Sequence, residues 1–256
     1  MNIAFNLALT EKYHSPSQKV RVATENWVKN QIYCPACGCS IDNHENNNPV
    51  ADFFCMRCKE DYELKSKKDY IGDKIVDGAY SSMIDKLQNN NAPNFFFLTY
   101  SLQELKVLNF LVIPKHFFIP DMIEKRKPLS IIARRAGWIG CNISIRGIPS
   151  TGKIFYIRDR SIEPKESVLG RWKQTLFLRD EKEPLEKGWI LDIMNCIDRL
   201  GKRDFTLSEL YAFENFLKTK YPNNKHIKDK IRQQLQFLRD KGYLEFATKG
   251  RYKLAK

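Results

Sequence analysis

Apolar residues recur along the first 180 positions at the spacings of both helices and strands. Val20, Trp27 and Val28 follow Ser15 and Pro16 on one helical face, which predicts a helix there. Continuous apolar and aromatic runs predict buried strands. The predicted helices lie in the second half of residues 1–30 and at 77–87, and the predicted strands at 94–100, 109–113 and 153–158. This mixture indicates an α/β core.

The last 70 residues have a different pattern. Helical periodicity predicts three helices, and Thr206 with Glu209 has the spacing of a capping box. Alternating residues around Lys249 and Gly250 predict a hairpin. The predicted helices are 189–200, 206–220 and a third that follows Asn223 and Asn224 and runs through Asp240, and the predicted hairpin strands are 243–246 and 251–254. Three helices followed by a hairpin predict an α+β winged helix.

A charged segment without periodicity, residues 179–188, separates the two patterns. We therefore predict one domain at 1–182 and a winged-helix domain at 183–256.

Charge narrows the choice of partner. The chain has 256 residues, 43% of them hydrophobic, and a net charge of +13. Residues 187–256 contain 16 basic and 8 acidic side chains, a net of +8. Such an excess favours a polyanion, although charge alone does not separate DNA, RNA and anionic membrane. No apolar run reaches the roughly 20 residues of a transmembrane helix, and no signal peptide is recognisable.

Four of the seven cysteines form two Cys-x-x-Cys pairs, Cys34 with Cys37 and Cys55 with Cys58, separated by 17 residues. Two such turns supply the four ligands of a closed tetrahedral zinc site, so we predict a structural Zn²⁺ in a ribbon spanning 34–58. His44 is a possible substitute ligand, and a redox pair or inert buried thiols are the alternatives to a metal site. Paired thiols of this kind also favour a reducing, cytoplasmic location.

An acidic motif overlaps this ribbon. Pro49-Val50-Ala51-Asp52, followed by Glu63-Leu64-Lys65, has the form of the PD-(D/E)-x-K nuclease motif. Asp52 and Glu63 offer hard oxygen ligands for Mg²⁺, and the Leu64 carbonyl is a further candidate ligand. Lys65 could orient or deprotonate the attacking water or stabilise the developing charge. Glu63 and Lys65 share one face of a strand. Glu25 is a possible additional acid.

Two surfaces are candidates for DNA contacts. In the predicted winged helix, the polar face of the third helix and the hairpin turn carry side chains that match base edges and phosphates. They are Asn223, Asn224, Lys225, Lys228, Arg232, Gln233, Gln236, Lys249 and Arg251. In the first domain, Arg134 and Arg135 lie near Trp138, an arrangement that could bind phosphate and enclose a base. Core packing is the equally weighted alternative for Trp138.

Two other classes of protein remain open from these residues. A non-catalytic regulator could use the zinc ribbon and winged helix only to bind DNA. A repair or junction nuclease could use the same catalytic motif to cleave by DNA structure rather than sequence.

Several longer sequence segments favour one function over these alternatives. The chain resembles the DpnI-like family of methyl-directed type II restriction endonucleases through NNPVADFFC, ELKSKK, DGAY, APNFFFLTY, ARRAGWIGCNI, MNCID and HIKDKIRQQLQFLRDK. The resemblance implies a PD-(D/E)-x-K domain with a winged helix, and the catalytic triad of the family falls on Asp52, Glu63 and Lys65. It also implies Mg²⁺-dependent cleavage of double-stranded DNA at GATC sites with N6-methyladenine, by a monomer or weak dimer.

Overall fold

The structure, a computed structural model, describes residues 1–6, 8–44, 51–89 and 91–255. The chain forms two compact units. The first comprises Met1–Ile145 and Thr151–Leu176, and the second Arg146–Ser150 and Phe177–Lys256. Among the helices of the described ranges, none has the length and apolar character that crossing a bilayer requires.

In its described residues, the first unit contains three α-helices and ten strands. The helices are α1 (Pro16–Gln31), α2 (Tyr80–Gln88) and α3 (Lys165–Thr175). The strands are β1 (Asp42–Asn43), β2 (Phe53–Phe54), β3 (Asp61–Lys68), β4 (Lys74–Ala79), β5 (Asn94–Ser101), β6 (Lys106–Ile113), β7 (Ile123–Lys125), β8 (Gly140–Ser144), β9 (Ile154–Arg158) and β10 (Ser161–Ile162). The predicted first helix and the three predicted strands are confirmed.

A seven-stranded mixed sheet forms the frame of this unit, in the order β1-β2-β3-β5-β6-β9-β10. Only β3 and β5 pair in parallel; the other neighbours are antiparallel. Strand β5 is central, and every residue from Asn94 to Tyr100 is buried, as a strand covered on both faces requires. Trp27 of α1 and Trp172 of α3 belong to the same buried cluster as Phe96. The predicted α/β core is confirmed.

A second, three-stranded antiparallel sheet has the order β4-β8-β7. It corrects the helix predicted at 77–87, because residues 77–79 are the end of β4 and α2 begins only at Tyr80. Asp77 pairs with Cys141 of β8. The backbone of this segment finds hydrogen-bond partners in a strand more than 60 residues away, which periodicity within the segment does not reveal.

The second unit is a winged helix, as predicted. Its helices are α4 (Pro184–Leu200), α5 (Leu207–Tyr211), α6 (Glu214–Lys220) and α7 (Ile227–Asp240), and its strands are β11 (Asp204–Thr206), β12 (Leu244–Thr248) and β13 (Arg251–Leu254). The strands form one antiparallel sheet in the order β11-β13-β12. The predicted capping box is confirmed: Thr206 accepts from the Glu209 amide, and the Glu209 carboxylate accepts from the Thr206 amide.

Three details of this unit differ from the predictions. Helix α4 begins at Pro184, five residues early, because proline is well accommodated in the first turn of a helix. The single helix predicted at 206–220 is two helices, since the Phe213 amide bonds to Leu210 and closes a tight turn. Strand β11 was not predicted, because a strand of three residues is too short to show a recognisable alternation of apolar and polar residues.

Candidate active site and DNA-binding surfaces

The two Cys-x-x-Cys segments form matching turns. In the first, the Gly38 amide donates to the Cys34 carbonyl at 2.8 Å, and in the second the Lys59 amide donates to the Cys55 carbonyl at 2.9 Å. Gly38 and Lys59 both adopt positive φ, 76° and 59°. Glycine tolerates this conformation without steric cost, whereas Lys59 is held in it by its turn. Both turns therefore present their two sulfurs in the same way.

The four sulfurs converge on one point. The Sγ atoms of Cys34, Cys37, Cys55 and Cys58 all lie within 4.8 Å of one another. Four thiolates around a tetrahedral zinc, each about 2.3 Å from the metal, would lie about 3.8 Å apart. The cluster could therefore hold zinc as predicted. The alternative ligand His44 instead bonds through Nε2 to Asp61 at 2.9 Å.

The Cys55–Cys58 turn belongs to a hairpin that carries the candidate acids. Phe53 of β2 pairs with Tyr62 of β3, and the Cys55–Cys58 turn connects these two strands. Asp52 lies just before β2, where its amide donates to the Tyr62 carbonyl at 3.0 Å. Its Oδ2 accepts from the Leu64 amide at 2.7 Å. The carboxylate of Asp52 is thus tied to the backbone of the strand that carries Glu63 and Lys65.

Glu63 and Lys65 project from one face of β3 and touch each other. Lys65 Nζ donates to Glu63 Oε1 at 2.5 Å, and it also donates to the Asp77 carboxylate. The side chains of Lys65, Glu63 and Asp77 retain only 19%, 21% and 8% of their exposure. The ammonium therefore lies between two carboxylates in a largely desolvated position.

Burial and the charges of neighbouring side chains have opposite effects on the pKa values of Glu63 and Lys65. Burial raises the pKa of Glu63, and the positive charge of Lys65 only partly offsets that rise. Burial would lower the pKa of Lys65, but the carboxylates of Glu63 and Asp77 outweigh it, so the pKa of Lys65 is raised. Both carboxylates therefore favour the ammonium form of Lys65.

Helix α1 contributes charges to the same neighbourhood. Arg21 donates to Glu25 at 2.6 Å, one helical turn away. This hydrogen bond raises the pKa of Arg21, and the negative charge of Asp52 adds to the rise. Glu25, the possible additional acid, is therefore paired with Arg21, whose pKa is also raised by the negative charge of Asp52.

Asp77 is the residue that reading the sequence missed. It was assigned to a helix, whereas the pairing of β4 with β8 directs its carboxylate at Lys65. Its only signal in the sequence is its place in the run DGAY. Pro49 and Val50, the first residues of the nuclease motif, lie outside the described residues.

The candidate DNA contacts of the winged helix are mainly at its surface. Exposed side chains there are those of Asn223, Lys225, Lys228, Arg232, Gln233, Gln236, Lys249 and Arg251, while Asn224 is half-buried. Arg232 donates to the Tyr211 hydroxyl and contacts Asp229, and Lys228 pairs with Glu214 at 3.3 Å. One placement differs from the prediction: Lys225 precedes α7, which begins at Ile227.

The candidates in the first unit lie on the loop between β7 and β8. Arg134 and Arg135 are exposed, and Trp138 is half-buried. The Arg135 guanidinium lies 4.7 Å from the centre of the Trp138 ring. A Cβ atom at Gly140 would come within 2.8 Å of that ring, so only glycine allows Trp138 to pack against β8. The loop therefore presents an arginine stacked on an aromatic ring.

Two family models match the chain. Residues 1–181 match the model DpnI, described as the Dam-replacing family. Residues 185–254 match the model DpnI_C, described as the Dam-replacing HTH domain. Together these matches cover nearly all of the sequence.

Proposed function

Because the chain belongs to the Dam-replacing family of DpnI, a family of restriction endonucleases, we propose that it hydrolyses double-stranded DNA at GATC sites carrying N6-methyladenine. The observation that supports the catalytic part is the bond from the Leu64 amide to Asp52, which ties the Asp52 carboxylate to the strand that carries Glu63 and Lys65. We assign cleavage to residues 1–182 and a second DNA contact to residues 183–256.

The proposed cofactor is Mg²⁺. Glu63 and Asp77 lie against the Lys65 ammonium, and Asp52 is bonded to the backbone of the same strand; carboxylates of this kind are oxygen ligands that suit a divalent cation. Asp52, Glu63 and the Leu64 carbonyl would hold it. In the described part of the chain, only the four cysteines form a group of three or more Cys, His, Asp or Glu side chains that could hold a metal ion. Two carboxylates completed by water and phosphate are nonetheless a common Mg²⁺ arrangement. When bound, Mg²⁺ supplies charge neutralisation at the scissile phosphate.

We assign the remaining catalytic roles to side chains and backbone groups of the chain itself. The Lys65 ammonium is a hydrogen-bond donor positioned by two carboxylates, suited to a phosphate oxygen on which negative charge develops. The backbone tie between Asp52 and Leu64 fixes the spacing of the two acids. Placement on a rigid hairpin limits the reorganisation needed in the reaction.

Methyl recognition requires an apolar surface, since N6 methylation removes one hydrogen from the amino group and adds an apolar group. We assign Trp138 as one wall of such a surface. Its ring is half-buried, packs over Gly140 and is covered in part by Arg135. The loop carrying it is basic, which suits a surface that approaches the DNA backbone.

The test is a plasmid digest with Mg²⁺, using DNA prepared with and without adenine methylation at GATC. The wild type should give discrete fragments only from methylated DNA. Asp52→Ala should lose cleavage by a factor of about 10³ or more while retaining DNA binding. Asp85→Ala, which removes an exposed carboxylate on α2, is the matched control and should cleave normally.

Three results would contradict the proposal. No scission by the wild type would favour a DNA-binding regulator. Cleavage of branched but not of linear DNA would favour a structure-specific nuclease. Full activity of Asp52→Ala would remove this site from the reaction. Sedimentation of the protein with and without a GATC duplex tests the further expectation of a monomer or weak dimer.

A further inference from the structure

The loop between β7 and β8 continues their hairpin instead of spreading over the surface. The Arg126 amide donates to the Gly140 carbonyl, and the Leu129 amide donates to the Trp138 carbonyl at 2.9 Å. The Gly137 amide returns a bond to Leu129 at 3.1 Å. These bonds extend the two strands by several residues and leave a short closed tip at residues 130–136.

The tip itself is ordered by local hydrogen bonds. The Ala133 amide donates to the Ser130 carbonyl at 2.9 Å, and the Ile132 amide donates to the Ser130 hydroxyl at 3.4 Å. On the C-terminal side, the Trp138 amide donates to the Arg135 carbonyl. The two residues at its apex, Ile131 and Ile132, are therefore held outward on a defined turn.

Those two isoleucines are unusually exposed. Ile131 and Ile132 retain 90% and 92% of their accessible surface. The next most exposed large apolar side chains among the described residues are Tyr70 at 67% and Met56 at 64%. Two adjacent, nearly fully exposed β-branched residues are an unfavourable way to build a solvent-facing turn. Their exposure indicates that a partner covers them.

The charge around the tip identifies the chemistry of that partner. Residues 125–138 contain five basic side chains and no acidic one. Arg134 and Arg135 follow the apex after Ala133, while Lys125, Arg126 and Lys127 lie on the opposite side of the loop. The partner must therefore offer an apolar recess flanked by negative charge on both sides.

We propose that this tip inserts into duplex DNA, with Ile131 and Ile132 wedged between neighbouring base pairs and the flanking arginines on the phosphates. Apolar side chains on basic elements unstack base steps in this way, and the stacked faces provide the apolar recess. The inference rests on the proposed function, because it assumes that this face of the first unit approaches DNA. It adds a deformation step to recognition, since the tip would open the helix before Trp138 meets the methylated base.

The test uses duplexes with a methylated GATC site and 2-aminopurine at single positions in and beside the site, in buffer without added Mg²⁺ and without a chelator. 2-Aminopurine fluorescence rises when the base loses its stacking partner. The wild type should raise it several-fold at one step. The double variant Ile131→Ser/Ile132→Ser should abolish the rise and weaken binding in fluorescence anisotropy by about tenfold.

Two further variants control for effects other than insertion. Ile131→Leu/Ile132→Leu keeps the apolar volume and should retain the rise in fluorescence. Leu102→Ser changes an exposed residue, 46% accessible, in the turn between β5 and β6, and should behave as wild type. Because all of these side chains are exposed, thermal unfolding should be nearly unchanged in each variant.

The inference is overturned if the serine double variant retains both affinity and the 2-aminopurine signal. It is also overturned if the tip instead binds vesicles containing anionic lipid and loses that binding on substitution. Failure of the proposed function is a separate result: a wild type that leaves methylated plasmid uncut refutes the nuclease, whereas the fluorescence signal is read without Mg²⁺ and does not depend on cleavage.

Discussion

At the residue scale, the central feature is a lysine held by two carboxylates from different sheets. Glu63 lies two residues from Lys65 on β3, so this contact is local. Asp77 comes from β4 of the smaller sheet and is the most buried member of the group. A side chain as flexible as lysine keeps one geometry only when it is fixed on more than one side. We therefore assign Asp77 as a positioning residue for Lys65.

Asp77→Asn should lower the turnover of cleavage about 10- to 100-fold, the usual range for losing a partner of an active-site group. The affinity for methylated duplex should change little, because Asp77 is not expected to contact DNA. Asp77→Glu restores the charge and should recover part of the turnover. Single-turnover cleavage and anisotropy measure the two effects. An equal loss of affinity and turnover, or no rescue by glutamate, would argue for a purely structural role.

At the element scale, the important unit is the β2–β3 hairpin with its cysteine turn. Strand β2 has only two residues, so its own ladder contributes few hydrogen bonds. The sulfur cluster joins the hairpin turn to the Cys34–Cys37 turn, and Lys165 of α3 donates to the Gly38 carbonyl at 2.9 Å. Metal binding would therefore stabilise the element on which Asp52 and Glu63 lie.

Cys58→Ser, or removal of zinc by a chelator, should lower the free energy of unfolding by about 4 kcal/mol, with Tm falling by roughly 8–16 °C. Cleavage should be lost with the metal, because the two acids would no longer be held together. Cys39→Ser is the matched control: Cys39 is half-buried beside the cluster and is not one of the four converging sulfurs. Mass spectrometry under native conditions should find one zinc in wild type and Cys39→Ser, and none in Cys58→Ser.

At the scale of the whole molecule, the uneven charge is the dominant property. The winged-helix segment from 187 to 256 carries +8 of the net +13. Some of its basic side chains, including Lys228 and Arg232, lie exposed on α7, and Lys249 is exposed in the turn between β12 and β13. Each phosphate neutralised on binding releases condensed counterions, so binding should weaken steeply as salt is raised.

Lys249→Ala should weaken binding equally for methylated and unmethylated duplexes and reduce the slope of log affinity against log salt by about 1. Gln236→Ala, an uncharged exposed position on α7, should leave that slope unchanged and alter only discrimination between sequences. Anisotropy titrations at several salt concentrations measure both. A Lys249 variant with the wild-type slope would place the wing away from the DNA backbone.

Short-range patterns in the sequence determined many of the helices, strands and turns of this protein. The continuous apolar run of β5, the helical spacing of α1 and α7, and the capping box at Thr206 were readable because each depends on neighbours within a few residues. The two cysteine turns were readable for the same reason. The sequence also predicted that the four sulfurs converge, because two Cys-x-x-Cys pairs at this spacing are typical of a tetrahedral zinc site.

Contacts between distant segments decided the rest. The end of β4 adopts a strand because β8 pairs with it, and only this pairing brings Asp77 to Lys65. The exposure of Ile131 and Ile132 followed from a hairpin whose partners lie on both sides of the loop. Periodicity reports which face of an element is apolar, but it carries no information on which other element satisfies the backbone or receives a charged side chain. Asp52, Glu63 and Lys65 could therefore be proposed from the sequence, whereas the contact between Asp77 and Lys65 became visible only in the tertiary structure.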